Sequence, residues 1–135
     1  MITLFVQPGF WLAALAALLM YVNAYRTLVN PTGFSRYMGL PTDDLMALAW
    51  VRVYGLRALF VGLAVTYFLV QHDPRSLEWL TGLGVLLAAG DARLVHNAGG
   101  RQKTFRHIGI AGILIITTMA LHHWAAVSPL GRHAT

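Results

Sequence analysis

The sequence predicts an all-α membrane fold: a four-transmembrane-helix up-down bundle with both termini on the extracytoplasmic side. Composition is the first reason. Of 135 residues, 57% are hydrophobic and 11% charged, with a mean hydropathy of +0.60, whereas an ordinary soluble domain carries about 25% charged residues. Size is the second, since a chain this long makes one domain whose soluble form has too little interior to hide that much apolar surface. Pattern is the third: the apolar residues fall in four runs separated by turn-rich or basic segments.

The first run, Phe10 to Ala24, lies in a stretch from Met1 to Tyr25 that contains no charged residue. A signal peptide needs a basic leader, and ITLFVQPGF has none. The run therefore reads as a first span over about residues 8–28, stopped by Asn30-Pro31. Pro31 to Asp44 reads as a turn-rich loop, with Thr42-Asp43-Asp44 supplying N-cap chemistry for the next helix. The second span covers about residues 45–70 and contains Arg52 and Arg57. QHDPRS reads as a tight turn with Pro74 at the helix entry.

A third span over about residues 77–96 has Glu78 and Asp91 near its ends. Its uncharged centre, Trp79 to Gly90, is only 12 residues, so a re-entrant or interfacial segment stays open beside a full crossing. NAGGRQKTF is a glycine-rich basic loop, in which Gly99-Gly100 ends the third helix. The fourth span, about residues 108–124, closes at His122-His123-Trp124.

Charge sets the direction of the spans. The ends facing the first and third loops carry Arg26, Arg36, Arg52, Arg93, Arg101, Lys103 and Arg106; the opposite side carries only Arg75 and Arg132. The positive-inside rule places the first and third loops in the cytoplasm. The chain is then a single multi-pass domain, residues 1–135, integral to the cytoplasmic membrane, with lipid as its surroundings. Its net charge of +5 comes without a dense Lys/Arg run interleaved with aromatics, so nucleic acid is not an expected partner. Cysteine is absent, which excludes disulfides, thiolate catalysis and cysteine metal sites. His122-His123 lacks metal-ligand spacing, and no metal or cofactor is expected.

Charges within the spans are where chemistry can sit. Arg57 lies 13 residues beyond Asp44, roughly 20 Å along a helix, while Arg52 is shallow enough to snorkel. Asp91 shares a helical face with Gly84, Leu87, Ala88 and Val95, and Gly84–Ala88 is a small-xxx-small pair that favours close helix approach. An intramembrane charge needs a partner and faces the bundle interior. The sequence therefore predicts a polar pocket in the cytoplasmic half. Asp91, Arg57 and Tyr54 are its candidate catalytic residues, and Asn23, Arg52, Trp50 and His96 its candidate ligand-binding residues. A structural Arg57–Asp91 pair cementing two helices is the competing reading. His96 and His107, which flank the third loop, are weaker candidates for b-haem ligands.

NPTGFSRYMGLP, WVRVYGLRALFVGLA and GVLLAAGDARLV together resemble a family of small four-helix membrane proteins, the domain of unknown function 4267. Gly55-Leu56-Arg57 and Gly90-Asp91 are the most specific elements of that likeness. The resemblance implies a four-helix bundle and brings no activity with it. The topology is also similar to that of small multidrug transporters, which carry an essential glutamate in helix one; helix one here has no acid.

The expected function is binding of a small lipophilic molecule in the pocket. Acid–base chemistry on it is expected to follow: isomerisation, cyclisation or epoxide opening. A carboxyl such as Asp91 would move the proton, Arg57 would hold an oxyanion, and Tyr54 and Asn23 would hydrogen-bond the substrate oxygen. No nucleophile triad, P-loop or dinucleotide fingerprint is present. A small transporter or permease working as a homo-oligomer, and a non-catalytic membrane accessory protein, are the alternatives.

Overall fold

A computed structural model describes residues 7–99 and 101–127, without the side chains of residues 101 and 102. Gly100, Arg132 and the Arg101 side chain, all used above, lie outside the described residues. The described chain is all helical: α1 Pro8–Val29, α2 Pro31–Met38, α3 Leu45–Val70, α4 Pro74–Asn97 and α5 Arg101–Val127. Three of these, α1, α3 and the Lys103–Val127 part of α5, are long and apolar enough to cross a membrane. α4 has the length, but Arg75, Glu78, Asp91 and Arg93 interrupt it.

Proline and short polar side chains set the helix starts. Pro8, Pro31 and Pro74 each sit in a first helical turn, where the missing N–H has no intrahelical partner to lose. Asp44 Oδ1 accepts from the Ala47 N–H at 2.8 Å to open α3, and Asp73 Oδ1 accepts from the Arg75 and Ser76 N–H groups at 3.1 and 3.0 Å to open α4. Gly99, at φ +84°, follows the end of α4 in the left-handed region where glycine is favoured.

Two segments differ from the sequence reading. Pro31–Met38, expected as loop, is helix α2. Asn30 serves twice: its N–H bonds the Arg26 carbonyl at the end of α1, and its Oδ1 accepts from the Gly33 N–H at 2.8 Å. Asn-Pro is thus both a stop and the N-cap–N1 start of a new helix. The basic segment before Ile108 is also helical, so α5 begins at Arg101. Arg, Gln and Lys are good helix formers, and polarity alone does not make a loop.

Packing is closest between α1 and α3 and between α4 and α5, and α1 joins the two pairs by meeting α5. The α1–α3 seam is built from small residues: Ala13, Ala17, Ala24 and Thr27 face Gly55, Ala58, Gly62 and Val65, all buried. A Cβ on Gly55 would lie 2.1 Å from Thr27 Oγ1, so only glycine permits this approach. Such close contact is what holds helices together where lipid removes any hydrophobic advantage to association. Polar bonds add to the seams: Tyr21 hydroxyl to Thr66 hydroxyl at 2.8 Å for α1–α3, and Thr118 to Thr81 at 2.9 Å for α4–α5. The hydroxyls of Thr27, Thr66, Thr81, Thr117 and Thr118 also bond a carbonyl one turn back in their own helix.

The two ends of the molecule differ. At one, Ala13, Ala17, Val65, Leu69, Leu77, Leu121 and Trp124 form a continuous buried cluster, and the Phe10 and Trp124 rings meet edge-on at 6.3 Å. At the other, α2 lies against α1 and α3 and leaves a cavity beside it.

Candidate functional site

The cavity holds about 260 Å³ and is lined from four helices. α2 contributes Phe34, Ser35 and Met38; α3 contributes Trp50, Val51 and Tyr54; α4 contributes Asp91, Leu94 and Val95; α5 contributes His107. Leu40, just after α2, completes the wall. Most of these side chains are apolar, and the polar ones are few: the Asp91 carboxyl, the Tyr54 hydroxyl, the His107 ring and the Ser35 hydroxyl. That division, an apolar body with a small polar group set, is typical of small-molecule sites.

Each element positions its residue for a local reason. The inner face of α4 runs through Thr81, Ala88, Ala92 and Val95, which are buried. Asp91 borders that face, half-buried, and is turned toward α3 and α5. Leu87, expected on the same face, is instead 69% exposed. Tyr54 is half-buried and its ring stacks at a tilt on Phe34, centroids 5.6 Å apart. His107 is 2% exposed and its Nε2 lies 3.4 Å from the Met38 carbonyl. A carbonyl can only accept, so Nε2 carries the proton and this contact ties α5 to the end of α2. Asp91 lies within electrostatic reach of both Tyr54 and His107. Among the described residues, neither the Asp91 carboxylate nor the Tyr54 hydroxyl hydrogen-bonds to protein. Ser35, by contrast, is committed, donating to the Thr32 carbonyl at 2.9 Å.

Of the residues singled out from sequence, Asp91, Tyr54 and Trp50 come together at this cavity. Arg57, Arg52, Asn23 and His96 are not in its lining. Arg52 and Arg57 are exposed on the outside of α3, and His96 is exposed near the end of α4. Asn23 sits on α1, where its main-chain carbonyl accepts from Thr27. The anticipated Arg57–Asp91 pair does not form: the described ion pairs are Arg36–Asp43 at 3.1 Å and Glu78–His122 at 2.9 Å. The reason lies in the seams. The small face of α3 is engaged by α1, and α3 meets α4 far less than it meets α1, so a residue midway along α3 on another face does not reach α4.

The wall formed by α2 was not legible as a site, and His107 stood out only as a weaker haem-ligand candidate, not as part of this cavity. α2 read as a loop, and His107 stood just outside the fourth apolar run. Extending the helix through the basic segment is the signal that would have placed His107 inside. Among the described residues, no three His, Asp or Glu side chains converge as a metal site.

A family model described as Domain of unknown function (DUF4267) matches residues 16–121. The chain belongs to the DUF4267 family. Every residue lining the cavity of this DUF4267 protein falls within the matched stretch. No curated protein and no solved structure matches the chain.

Proposed function

We propose that this DUF4267 protein is a four-span, up-down bundle that binds a small lipophilic molecule at the cavity and performs acid–base chemistry on it. Three spans follow from length and hydropathy. The fourth is α4, whose 24 residues make about 36 Å, enough for the ~30 Å hydrocarbon core. Docking on α5 carries its charged ends through. The basic residues Arg26, Arg36, Lys103 and Arg106 support an orientation with the cavity end at the cytoplasmic face of the cell membrane and both termini outside. The chain lacks cysteine, so single cysteines report topology cleanly. Gln71→Cys is expected to react with an impermeant maleimide on intact cells and Asn97→Cys only after permeabilisation. The reverse pattern rejects this orientation.

One observation carries the functional reading: a carboxylate and a phenol, neither held by protein, face an apolar cavity with a histidine nearby. In an isomerase, cyclase or epoxide-opening reaction, Asp91 gives or takes the proton, Tyr54 hydrogen-bonds the substrate oxygen and His107 stands at the same wall to orient the ligand. Positioned acid–base groups contribute about 10²–10⁴-fold. The cavity is slightly below the ~300–1,000 Å³ of drug-sized sites, which favours a compact ligand. The purified protein would be tested for thermal shift and turnover against small lipophilic epoxides, enones and polyenes. Asp91→Asn is expected to retain the fold and lose turnover by at least about 10²-fold. Wild-type protein that neither binds nor converts any of these rejects the reading.

A second reading has its own support. Arg57 is exposed midway along α3, and a charge at that depth is costly against lipid. A homo-oligomeric permease in which a second copy covers that face accommodates it. Cross-linking from Leu56→Cys in membranes is expected to trap dimers on this reading, and its absence there removes it.

A further inference from the structure

Outside the cavity, three basic side chains without carboxylate partners gather around α2 among the described residues. Arg106, from α5, places its guanidinium 3.8 Å from the Tyr37 ring centroid and donates through NH1 to the Tyr37 carbonyl. Arg26, from the last turn of α1, places its own guanidinium 4.3 Å from the same centroid. Both distances run to one point, so the two cations stand within about 8 Å of each other. Lys103 lies one turn before Arg106 with its stem against Gly39, at the end of α2. Asp43, the acid nearest in sequence to this helix, pairs with Arg36. Among the described residues, Arg26, Lys103 and Arg106 meet no carboxylate.

Like charges repel at this spacing, and one aromatic face offsets each only in part. An anion within reach of both reduces that repulsion, and guanidinium forks match phosphate oxygens in pairs. Arg26 makes no hydrogen bond to a described residue through its side chain, which leaves its fork open. The surroundings say which anion. Beside Arg26, Tyr25, Leu28 and Val29 are exposed, and beside Arg106 so is Phe105. A phosphate held at the forks therefore continues directly into apolar surface on which acyl chains can lie.

We infer that Arg26 and Arg106, gathered on Tyr37, together with Lys103 beside Gly39, form a seat for the phosphate of an anionic phospholipid. The seat is separate from the cavity, and its existence does not depend on what the cavity binds. Because Tyr37 is on the same short helix as Phe34, Ser35 and Met38, a seated headgroup also fastens α2 to α1 and α5 above the cavity.

The test is binding of fluorescent phosphatidylglycerol to the full-length protein in neutral detergent, with phosphatidylcholine and inorganic phosphate as competitors. Phosphatidylglycerol is expected to bind, to resist both competitors, and to weaken about tenfold in Arg26→Gln and again in Arg106→Gln, the loss of one charge-assisted contact each. Arg106→Gln also removes the bond to the Tyr37 carbonyl. Should it not fold, Arg26→Gln decides alone. Arg36→Gln, which removes an arginine already paired, and Asp91→Asn, in the cavity, are expected to leave binding unchanged. Equal binding of phosphatidylcholine, displacement by inorganic phosphate, wild-type affinity in Arg26→Gln, or an equal loss in Arg36→Gln each overturns the proposal.

Discussion

The two ends of this bundle are built on opposite rules. At one, Leu77 and Leu121 are completely buried and interlock with Trp124, Leu69 and Val65 into a solid cluster. At the other, a short helix lies against α1 and α3, a cavity opens beside it, and a carboxylate and a phenol are left without protein partners. The first arrangement secures the fold; the second keeps chemistry available at little cost in packing. Stability and the candidate site are thus separated along the helix axes, and mutations at the two ends are expected to sort by which property they change.

The sharpest test is Leu121→Ala at the closed end. Truncating a wholly buried leucine is expected to lower unfolding free energy by about 2–3 kcal/mol, the low part of the usual range because in lipid chiefly packing contacts are lost. Denaturation in detergent measures it, and ligand or phospholipid binding at the other end should be unchanged. Gly55→Ala follows, at about 1–3 kcal/mol, since the new methyl must push Thr27 off α3. A neutral result there would mean the α1–α3 seam yields more easily than its spacing implies.

Asp73→Ala, at the turn opposite the cavity, is expected to cost about 1 kcal/mol as a lost N-cap. Partial burial pushes the Asp73 carboxyl up, but the Ser76 hydroxyl, the Ser76 and Arg75 N–H groups and the Arg75 charge outweigh it and hold it below its ordinary range. Its folded value therefore lies under its unfolded value of about 3.9. The carboxylate stabilises α4 at every pH above that, and the contribution disappears as pH falls through the folded value. Wild type should lose stability on acidification in that window, and Asp73→Ala should lose less. The smallest effect belongs to Asp91→Asn, expected to change unfolding free energy by no more than about 0.5 kcal/mol, because no bond to protein is broken. A loss comparable to that of Leu121→Ala would break the contrast between the ends.

How much of this was legible depended on whether a signal was local. Asp44 and Pro74 announced their helix starts because capping is settled within four residues. The i, i+3, i+7 spacing of Gly55, Ala58 and Gly62 makes a small face, but spacing does not say which helix meets it. Asp91 and Tyr54 were found because a polar group in an apolar run stands out in any arrangement. Arg57 stood out equally and is absent from the cavity lining, since its direction depends on how α3 is rotated against α1, a property of the assembled pair. α2 was missed because Asn-Pro, read as an ending, is also a beginning. Glu78 and His122, distant in sequence, meet only once α4 and α5 are paired.

The threonines have a consequence for how the chain is made. Because Thr27, Thr66, Thr117 and Thr118 bond carbonyls in their own helices, their hydroxyls need no neighbour to be satisfied in hydrocarbon. On that count α1, α3 and α5 need no partner for their threonines on entering lipid, and only the arginines of α3 still ask for cover. α4 is different: its charges make it the reluctant member, and its main partner, α5, emerges after it. Delivery of the candidate acid to its place therefore waits on α5, and a chain cut short before α5 should leave α4 at the membrane surface.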